Sequence, residues 1–506
     1  MSSPAVPLSP GIRRRGWWDL SDPAIVWFER RAVMTLPVAA ACLLAILAAV
    51  PLFDLFQHVA YNPNEGWNAF NAELFRDPAR LYPGTDAFTF NNYPPSYFHI
   101  IGSFGALLGD TIFAGRIVSI GAVLAIALIV YRITVLVIGE RSRIALVAPL
   151  LFGCYALTVF RGYFGMSDPQ WLSLALSSAA LWLLVKAQVE RPASVRYEVG
   201  AAVLVVLALT VKHNVLALPL AATLWLAATS WRRFLAWSIT GIAVCSVVVV
   251  GLAAIYGSNF LHQVFGHHRI YSIAKMVEFD AIVLKYFVLS LPVGFTLIAY
   301  ARGHPLVRLI LLCLVVSLVA GAVQMSGEGV WYNAFFEMLI ALAIACPLAI
   351  SLAFRHGHRR RGALLVAACF LPFLVLAPKT LADDARYLTH RNADLAMWSR
   401  VEGLARSSSR GVLCENLAVC YWAGKGNQLD FFNYDQKLKT GTPDAAIARL
   451  LCSNVLSLVI LGPQHDDRAV LYGEIDRRFE TAVASGPFRV LRPRAVKRDC
   501  GTPDSR

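Results

Sequence analysis

Charged residues are scarce in this 506-residue sequence, and their scarcity excludes an ordinary soluble protein. Asp, Glu, Lys and Arg make up 15% of the residues, whereas hydrophobic residues make up 57%. Soluble domains carry about 25% charged and roughly 45–50% apolar residues. Runs of about 20 mostly apolar residues, the length that a membrane-spanning helix needs, recur along the chain. The composition therefore predicts a polytopic α-helical membrane protein.

Acidic residues are fewer than basic ones, 32 against 46, so the formal net charge is +14. Many of the basic residues stand in short clusters beside apolar runs, such as "GERSR", "WRR" and "RHGHRRRG". Clusters of this kind are typical of cytoplasmic loops in membrane proteins. We therefore expect the lipid bilayer as a partner, and no nucleic acid.

The sequence lacks a clear signal-peptide cleavage site after its first apolar run, so residues 1–32 are predicted to be a cytoplasmic segment before a retained first helix. About eleven transmembrane helices are predicted. The short pair 198–211 and 214–229 is counted as two crossings, because one crossing would leave a basic cluster outside. Eleven crossings place the C-terminus outside. The predicted spans are 33–56, 112–138, 144–160, 169–185, 198–211, 214–229, 235–255, 281–300, 306–323, 331–352 and 362–377.

Polar residues are concentrated in the predicted outer loops, which indicates a site on the outer face. Residues 33–378 are expected to form the transmembrane domain, with an outer loop at 57–111. Residues 379–506 are expected to form a small extracytoplasmic α/β domain with strands at "GVLCEN" and "NVLSLVILG". Four cysteines in this region permit two disulfides, with three possible pairings, in an oxidising compartment. No CxxC or His-rich spacing suggests zinc.

The first outer loop begins with "NPNEGWNAF", which predicts a helix that starts near Asn62. Trp67, Phe70 and Leu74 would form an apolar stripe that lies at the membrane surface. Glu65 stands at the position where a carboxylate caps the start of a helix. The sequence alone leaves two readings of Glu65 open, a cap and a catalytic group.

Several short motifs resemble those of the glycosyltransferase C superfamily. The pattern "E-G-x-N-A" after the first span is followed by "LYP" and "YPP", and further similar pieces are "GRIVS", "GMSDPQ", "VKHN", "WYNAFFE" and "CENLAVCYWAGK". The likeness is greatest to the branch of the protein O-mannosyltransferases, the aminoarabinose transferases and the rhizobial galacturonosyltransferases. Those enzymes commonly read Asp-Glu where this chain has Asn64–Glu65, so one acid is missing here.

The resemblance implies transfer of a sugar from a polyprenyl-phosphate donor, with inversion, on the outer face of a bacterial inner membrane. The acceptor would be a hydroxyl of a lipid, a glycan or a protein. Glu65 is then predicted to be the catalytic base, because a carboxylate can take the proton of the acceptor hydroxyl. A divalent metal could be held by oxygen ligands of Glu65, Asp168 and Glu337 together, but nothing in their spacing demands one, and no other cofactor is indicated.

A departing lipid phosphate needs cations or hydrogen-bond donors that are already in place. The predicted donor-phosphate site consists of Lys212, His267, His268 and Arg269. The predicted acceptor and sugar site consists of Asn68, Asn92, Tyr93, Asp168 and Glu337. Ordinary alternatives stay open: Lys212 can snorkel from a helix end, and Glu337 can make a structural hydrogen bond.

Two other functions stay open. A transporter or flippase of lipid-linked glycan is one, although many transporters have two matching halves and neither the outer loop nor the tail has a second copy. A catalytically inactive relative that acts as a scaffold is the other, because the acid before Glu65 is missing.

Overall fold

The computed structural model describes residues 23–139, 143–190, 194–266, 269–441, 445–453, 455–462 and 470–494. The membrane part contains α1 (Pro23–Phe53), α2 (Asn64–Glu73), α3 (Pro78–Leu81), α4 (Ser96–Leu108), α5 (Thr111–Ile138), α6 (Val147–Leu157), α7 (Pro169–Glu190), α8 (Arg196–Val211), α9 (Ala217–Thr229), α10 (Trp231–Tyr256), α11 (Ser258–Phe265), α12 (Ile273–Leu284), α13 (Ser290–Ala301), α14 (Pro305–Met325), α15 (Phe336–Arg355) and α16 (Arg359–Ser407).

Seven of the described helices are long and apolar enough to cross a membrane: α1, α5, α7, α10, α14, α15 and α16. The pair α12–α13 passes the same test together but is bent by 59°. The other predicted crossings are also helical, but α6, α8 and α9 have only 11, 16 and 13 residues. The helical membrane fold is therefore confirmed, and the three short helices need tilt or burial in the bundle to complete a crossing.

The centre of the bundle is α15, whose residues from Phe336 to Ala353 are all buried. It packs against α5, α6, α13, α14 and α16. A helix that is apolar all round is stable inside a protein core or a membrane, and here other helices surround α15. The outer end of α15 therefore has a fixed place relative to the loops above it.

The predicted outer loop contains three helices rather than one. The existence of α2 is confirmed, but its expected place at the membrane surface is wrong, because α2 packs between α4, α5 and the tail helix α17 (Leu417–Trp422). Its residues from Glu65 to Ala72 are buried. Trp67 and Phe70 contact Tyr93 and Tyr421, with ring centroids 5.2 Å and 5.8 Å apart. The apolar stripe therefore binds protein and not lipid headgroups.

Helix α16 continues from the membrane part into the tail. It has 49 residues, so it is about 73 Å long at 1.5 Å per residue. The predicted domain boundary at residues 378–379 lies inside this helix, which ends at Ser407.

The tail is a small α/β unit, as predicted. Its strands are β1 (Gly411–Cys414), β2 (Leu456–Leu461), β3 (Phe479–Ser485) and β4 (Phe488–Pro493), in the sheet order β1-β2-β4-β3. β1 pairs with β2 in parallel, and the other pairs are antiparallel. The connections carry α17, α18 (Phe431–Lys439), α19 (Ala445–Cys452) and α20 (Val470–Arg478).

Cysteines of the tail are oxidised. A disulfide joins Cys414 at the end of β1 to Cys420 in α17, and Cys452 is also disulfide-bonded. Disulfides persist in oxidising compartments, which agrees with the predicted outer location of the tail.

The tail and the first outer loop are packed on each other. Gly66 of α2 approaches α17 so closely that a Cβ at this position would overlap the backbone nitrogen of Ala418. One hydrophobic cluster joins α2 and α4 to residues of α16, α17 and the sheet. The two segments therefore lie on the same side of the bundle.

Candidate active site

Glu65 is fully buried in the first turn of α2, where four N–H donors surround its carboxylate. Arg116 of α5 donates from Nε to Oε1 at 2.9 Å and from Nη2 to Oε2 at 2.8 Å. The backbone N–H groups of Tyr61 and Ser167 donate to Oε2 and Oε1, at 2.8 Å and 3.0 Å. Each oxygen thus accepts two hydrogen bonds, and the side chain has 0% exposure to solvent.

Arg116 holds the segment between α1 and α2 in one conformation. Its Nη1 donates to the carbonyls of Asp54, Leu55 and Gln57, and its Nη2 donates to the carbonyl of Val59 at 2.6 Å. Its guanidinium also lies 4.2 Å from the centroid of the Tyr61 ring. The site prediction did not include Arg116, although the "GRIVS" motif contains it.

The position of Glu65 does not support the predicted role of catalytic base. A base must come within hydrogen-bond reach of the proton that it removes, and here both oxygens are occupied by protein donors. The hydrogen bond from Tyr61 fits the capping alternative, to which the ion pair with Arg116 is added. The base role stays a prediction. Of the pair Asn64–Glu65, the exposed Asn64 is the residue that lines a cavity.

Lys212 and Asp168 form a second buried ion pair. Nζ of Lys212 lies 3.1 Å from Oδ1 of Asp168, and both side chains are 2% exposed. The same Oδ1 accepts the backbone N–H of Gln170 at 2.8 Å. The Lys212 ammonium also lies 4.8 Å from the centroid of the Tyr93 ring. The pair holds the ammonium inside the protein, so Lys212 does not snorkel.

The larger of two neighbouring cavities lies beside Lys212 and has a volume of about 280 Å³. It is open on one side, and its walls come from the turn after α8, from α11 and from the segments 269–271 and 324–334. Its described walls contain no Asp or Glu, and six of its polar residues are Asn92, Tyr93, Gln170, Lys212, Asn214 and Arg269.

Arg269 is the half-buried cation of this cavity. Among the described residues no carboxylate lies within ion-pair distance of it, whereas Lys212 is already paired with Asp168. His267 and His268, the other predicted phosphate ligands, lie outside the described residues. The described part of the cavity is therefore net positive at the Arg269 side.

A smaller cavity of about 90 Å³ adjoins the first one and shares Asn92, Tyr93, Arg269 and Gly329 with it. Asn64 and Trp67 of α2 form one wall. The tail forms the opposite wall with Glu415, Leu417, Asp430, Phe431, Phe432 and Asn433. This cavity exists because the tail packs on the first outer loop.

Asp430 of the tail forms a hydrogen bond across the smaller cavity to Trp67 of α2. Its Oδ2 accepts the indole N–H of Trp67 at 2.9 Å, and its Oδ1 accepts the backbone N–H of Asn433 at 3.0 Å. Burial raises the pKa of Asp430, although these hydrogen bonds oppose the shift.

Comparisons with known proteins agree with this architecture. A family model described as dolichyl-phosphate-mannose-protein mannosyltransferase matches residues 92–256. The crystal structure of ArnT from Cupriavidus metallidurans bound to undecaprenyl phosphate has a TM-score of 0.58 and 13% identity, and the match covers 88% of this chain and 97% of that chain. The apo structure of ArnT has a TM-score of 0.60 and 14% identity, with 90% and 98% covered. None of the curated proteins matches the chain significantly.

The matched family model and the ArnT-like fold support the likeness to the glycosyltransferase C superfamily that the sequence motifs indicate. The matched family model covers Asn92, Tyr93, Asp168 and Lys212, so it includes the ion pair and part of the larger cavity. The structural matches extend over the tail as well as the bundle.

Two predicted acceptor residues lie away from both cavities. Asn68 is fully buried and donates from Nδ2 to the carbonyl of Ser167 at 2.9 Å. Glu337 is also buried and accepts the backbone N–H of Leu218 at 2.8 Å, at the start of α9. A carboxylate is favourable at a helix N-terminus, so the structural alternative for Glu337 is the one that its contacts support.

The three carboxylates that were considered for a divalent metal each have a different partner in this fold. Glu65 pairs with Arg116, Asp168 pairs with Lys212, and Glu337 accepts from α9. The described residues contain no group of three or more His, Cys, Asp or Glu that could hold a metal ion.

Proposed function

We propose that the chain transfers a sugar from a polyprenyl-phosphate donor to an acceptor hydroxyl, with inversion, on the outer face of a bacterial inner membrane. The observation that supports this proposal most directly is the larger cavity, whose described walls carry Lys212 and Arg269 and no carboxylate. A similar fold, that of ArnT, has been crystallised with undecaprenyl phosphate.

The lipid phosphate would bind between Lys212 and Arg269. Asp168 and Tyr93 hold the Lys212 ammonium in place before the donor arrives, and cations held in advance stabilise the charge that develops on a leaving phosphate. Asp168 already offsets the charge of Lys212. Arg269 would therefore supply most of the uncompensated positive charge.

The outer location of this chemistry rests on the tail. A disulfide between Cys414 and Cys420 fits an oxidising compartment, and the tail forms one wall of the smaller cavity. The proposed topology has a cytoplasmic N-terminus and an external C-terminus. The test is a reporter that works only in the cytoplasm, fused after Arg506. Activity of this fusion would contradict the topology.

The test is sugar transfer by the purified full chain in liposomes that contain a polyprenyl-phosphate sugar. Arg269→Ala should raise the donor concentration that gives half-maximal rate by roughly 10- to 100-fold, because a hydrogen bond to a charged group is worth about 1.5–3 kcal/mol. Arg386→Ala is the matched control, because Arg386 is exposed on α16 and outside both cavities. Unchanged donor dependence in Arg269→Ala would refute the phosphate assignment.

Lys212 needs a second variant, because Lys212→Met alone leaves the Asp168 carboxylate buried and unpaired. In Lys212→Met with Asp168→Asn, we expect folding to recover and donor use to stay impaired. Recovery of both would make the pair purely structural.

The same liposomes separate the alternatives. A transporter would move a fluorescent lipid-linked glycan across the bilayer without transfer, and an inactive scaffold would do neither.

A further inference from the structure

The smaller cavity has the chemistry of a site for neutral, hydroxyl-rich molecules. It combines carboxamides, carboxylates and aromatic rings, contributed by Asn64, Asn433, Asp430, Trp67 and Phe432. Planar amide and carboxylate groups pair well with adjacent hydroxyls, and the C–H faces of sugar rings pack on aromatic rings. The cavity has a volume of about 90 Å³ and is open on one side, so part of a sugar ring can enter it.

One buried acceptor in this wall has no donor. Asn433 is 7% exposed, and its Oδ1 has no hydrogen-bond partner among the described residues. The orientation of this amide is fixed, because its Nδ2 donates to Oδ2 of Asp430 at 2.6 Å. An unsatisfied buried acceptor costs about 1–3 kcal/mol, so an O–H donor that comes within reach of this covered oxygen would be stabilised.

The charges of this wall argue against an anionic ligand. Glu415 and Asp430 lie in the wall, and the only cation that the described lining offers is Arg269, which also belongs to the larger cavity. A phosphate or carboxylate group would meet two carboxylates at close range. A neutral polyol meets no such repulsion.

The aromatic ring of Phe432 is part of the tail wall of the smaller cavity. Phe432 is 43% exposed. Its ring lies so close to Gly329 that a Cβ at Gly329 would overlap it. The ring is therefore held between the tail and the bundle with part of its surface open.

We propose that the smaller cavity is the acceptor subsite and that it binds the ring of a neutral sugar, so that the acceptor is a saccharide hydroxyl. The acceptor would lie between α2 and the tail, beside the donor phosphate in the adjoining cavity. Asn433 would accept a hydrogen bond from a sugar hydroxyl, and Phe432 would pack on the face of the ring. This inference rests on the proposed function.

The binding experiment uses the purified full chain in nanodiscs with a panel of neutral mono- and disaccharides as probes. We expect at least one saccharide to bind and Phe432→Leu and Asn433→Leu each to weaken it by at least about tenfold, the size of a lost buried contact. Trp331→Leu is the matched control, because Trp331 is 51% exposed on the outer side of the bundle and outside the smaller cavity. Failure of every saccharide to bind would overturn the inference.

Inorganic phosphate and a Ser/Thr-containing peptide are the competing probes. Phosphate binding should respond to Arg269→Ala and not to Phe432→Leu. If phosphate or the peptide displaces the saccharide and loses affinity in Phe432→Leu, the acceptor is an anion or a protein and the inference is wrong.

A kinetic measurement separates this inference from the proposed function. If transfer occurs and Phe432→Leu raises the KM for the saccharide acceptor while leaving the KM for the donor unchanged, both stand. Transfer without any effect of Phe432→Leu refutes the subsite alone. Saccharide binding that needs Phe432 in a chain without transfer activity would leave a saccharide-binding site but refute the proposed function, and with it the role of that site as an acceptor subsite.

Discussion

Substitution of Glu65 by Gln separates a positioning role from a catalytic one. In the wild-type chain four N–H groups donate to the carboxylate. A Gln has one acceptor oxygen, so in either orientation its NH₂ group would face one N–H of Arg116 and one backbone N–H, that of Tyr61 or that of Ser167. The guanidinium of Arg116, only 1% exposed, would lose its counter-charge.

We expect Glu65→Gln to lower the free energy of unfolding by about 3–5 kcal/mol, the usual effect of removing one partner of a buried ion pair. Arg116 keeps its bonds to the carbonyls between Asp54 and Val59, which places the cost toward the lower end. We therefore expect Glu65→Gln to lower the unfolding temperature clearly. Any loss of turnover should follow the loss of folded protein.

The assay is thermal unfolding in detergent followed by a thiol-reactive dye, because free cysteines are buried in the bundle at Cys154, Cys313, Cys346 and Cys369. Arg116→Met and the double variant complete a cycle. Residues in direct contact show coupling energies of 0.5–3 kcal/mol, so the double variant should be less destabilised than the sum of the single variants.

The base reading makes the opposite prediction. Glu65→Gln would unfold at the wild-type temperature, while turnover by folded protein would fall by about 10²–10⁴, the usual contribution of a general base. That result would refute the positioning role and return Glu65 to the reaction.

Two further substitutions test the first outer loop. Gly66→Ala should loosen the tail from α2 and speed proteolysis of the tail, because the new methyl group would overlap the backbone of α17. Overpacking of this kind destabilises a protein by about 1–3 kcal/mol. Gly84→Ala is the control, because there is open space around Gly84. Asn64→Asp should leave stability within about 0.5 kcal/mol, as surface changes do, and should raise turnover if an acid beside the acceptor helps the reaction; an unchanged rate would show that no acid is needed at that position.

The membrane fold was readable from the sequence because apolar runs and basic clusters are local signals. All predicted spans are helical, including the uncertain pair that became α8 and α9. The domain boundary at residues 378–379 was harder to predict from the sequence. Composition changes there, but helix formation does not depend on leaving the membrane, so α16 continues to Ser407.

The site was only partly readable, because the missing information was in long-range contacts. The sequence separately singled out Asp168 and Lys212, which form one ion pair, but gave no sign that Trp67 would contact the tail at Asp430. Arg116 was left out of the predicted site, although the sequence contains a signal for it. An Arg inside an apolar segment of 28 residues predicts a buried partner, because an unpaired charge is costly there.

The two positions of the Asn64–Glu65 pair have different surroundings, and this difference decides what the missing acid means. Glu65 is buried and holds Arg116, which in turn orders the segment that leads into α2. Asn64 is exposed and lines the cavity between α2 and the tail. Against the Asp-Glu pattern that this motif resembles, the chain has the acid whose loss would leave a buried cation unpaired, and it has Asn at the position that lines the cavity. An acid at position 64 would therefore alter the charge of the cavity without touching the Glu65–Arg116 ion pair that supports it.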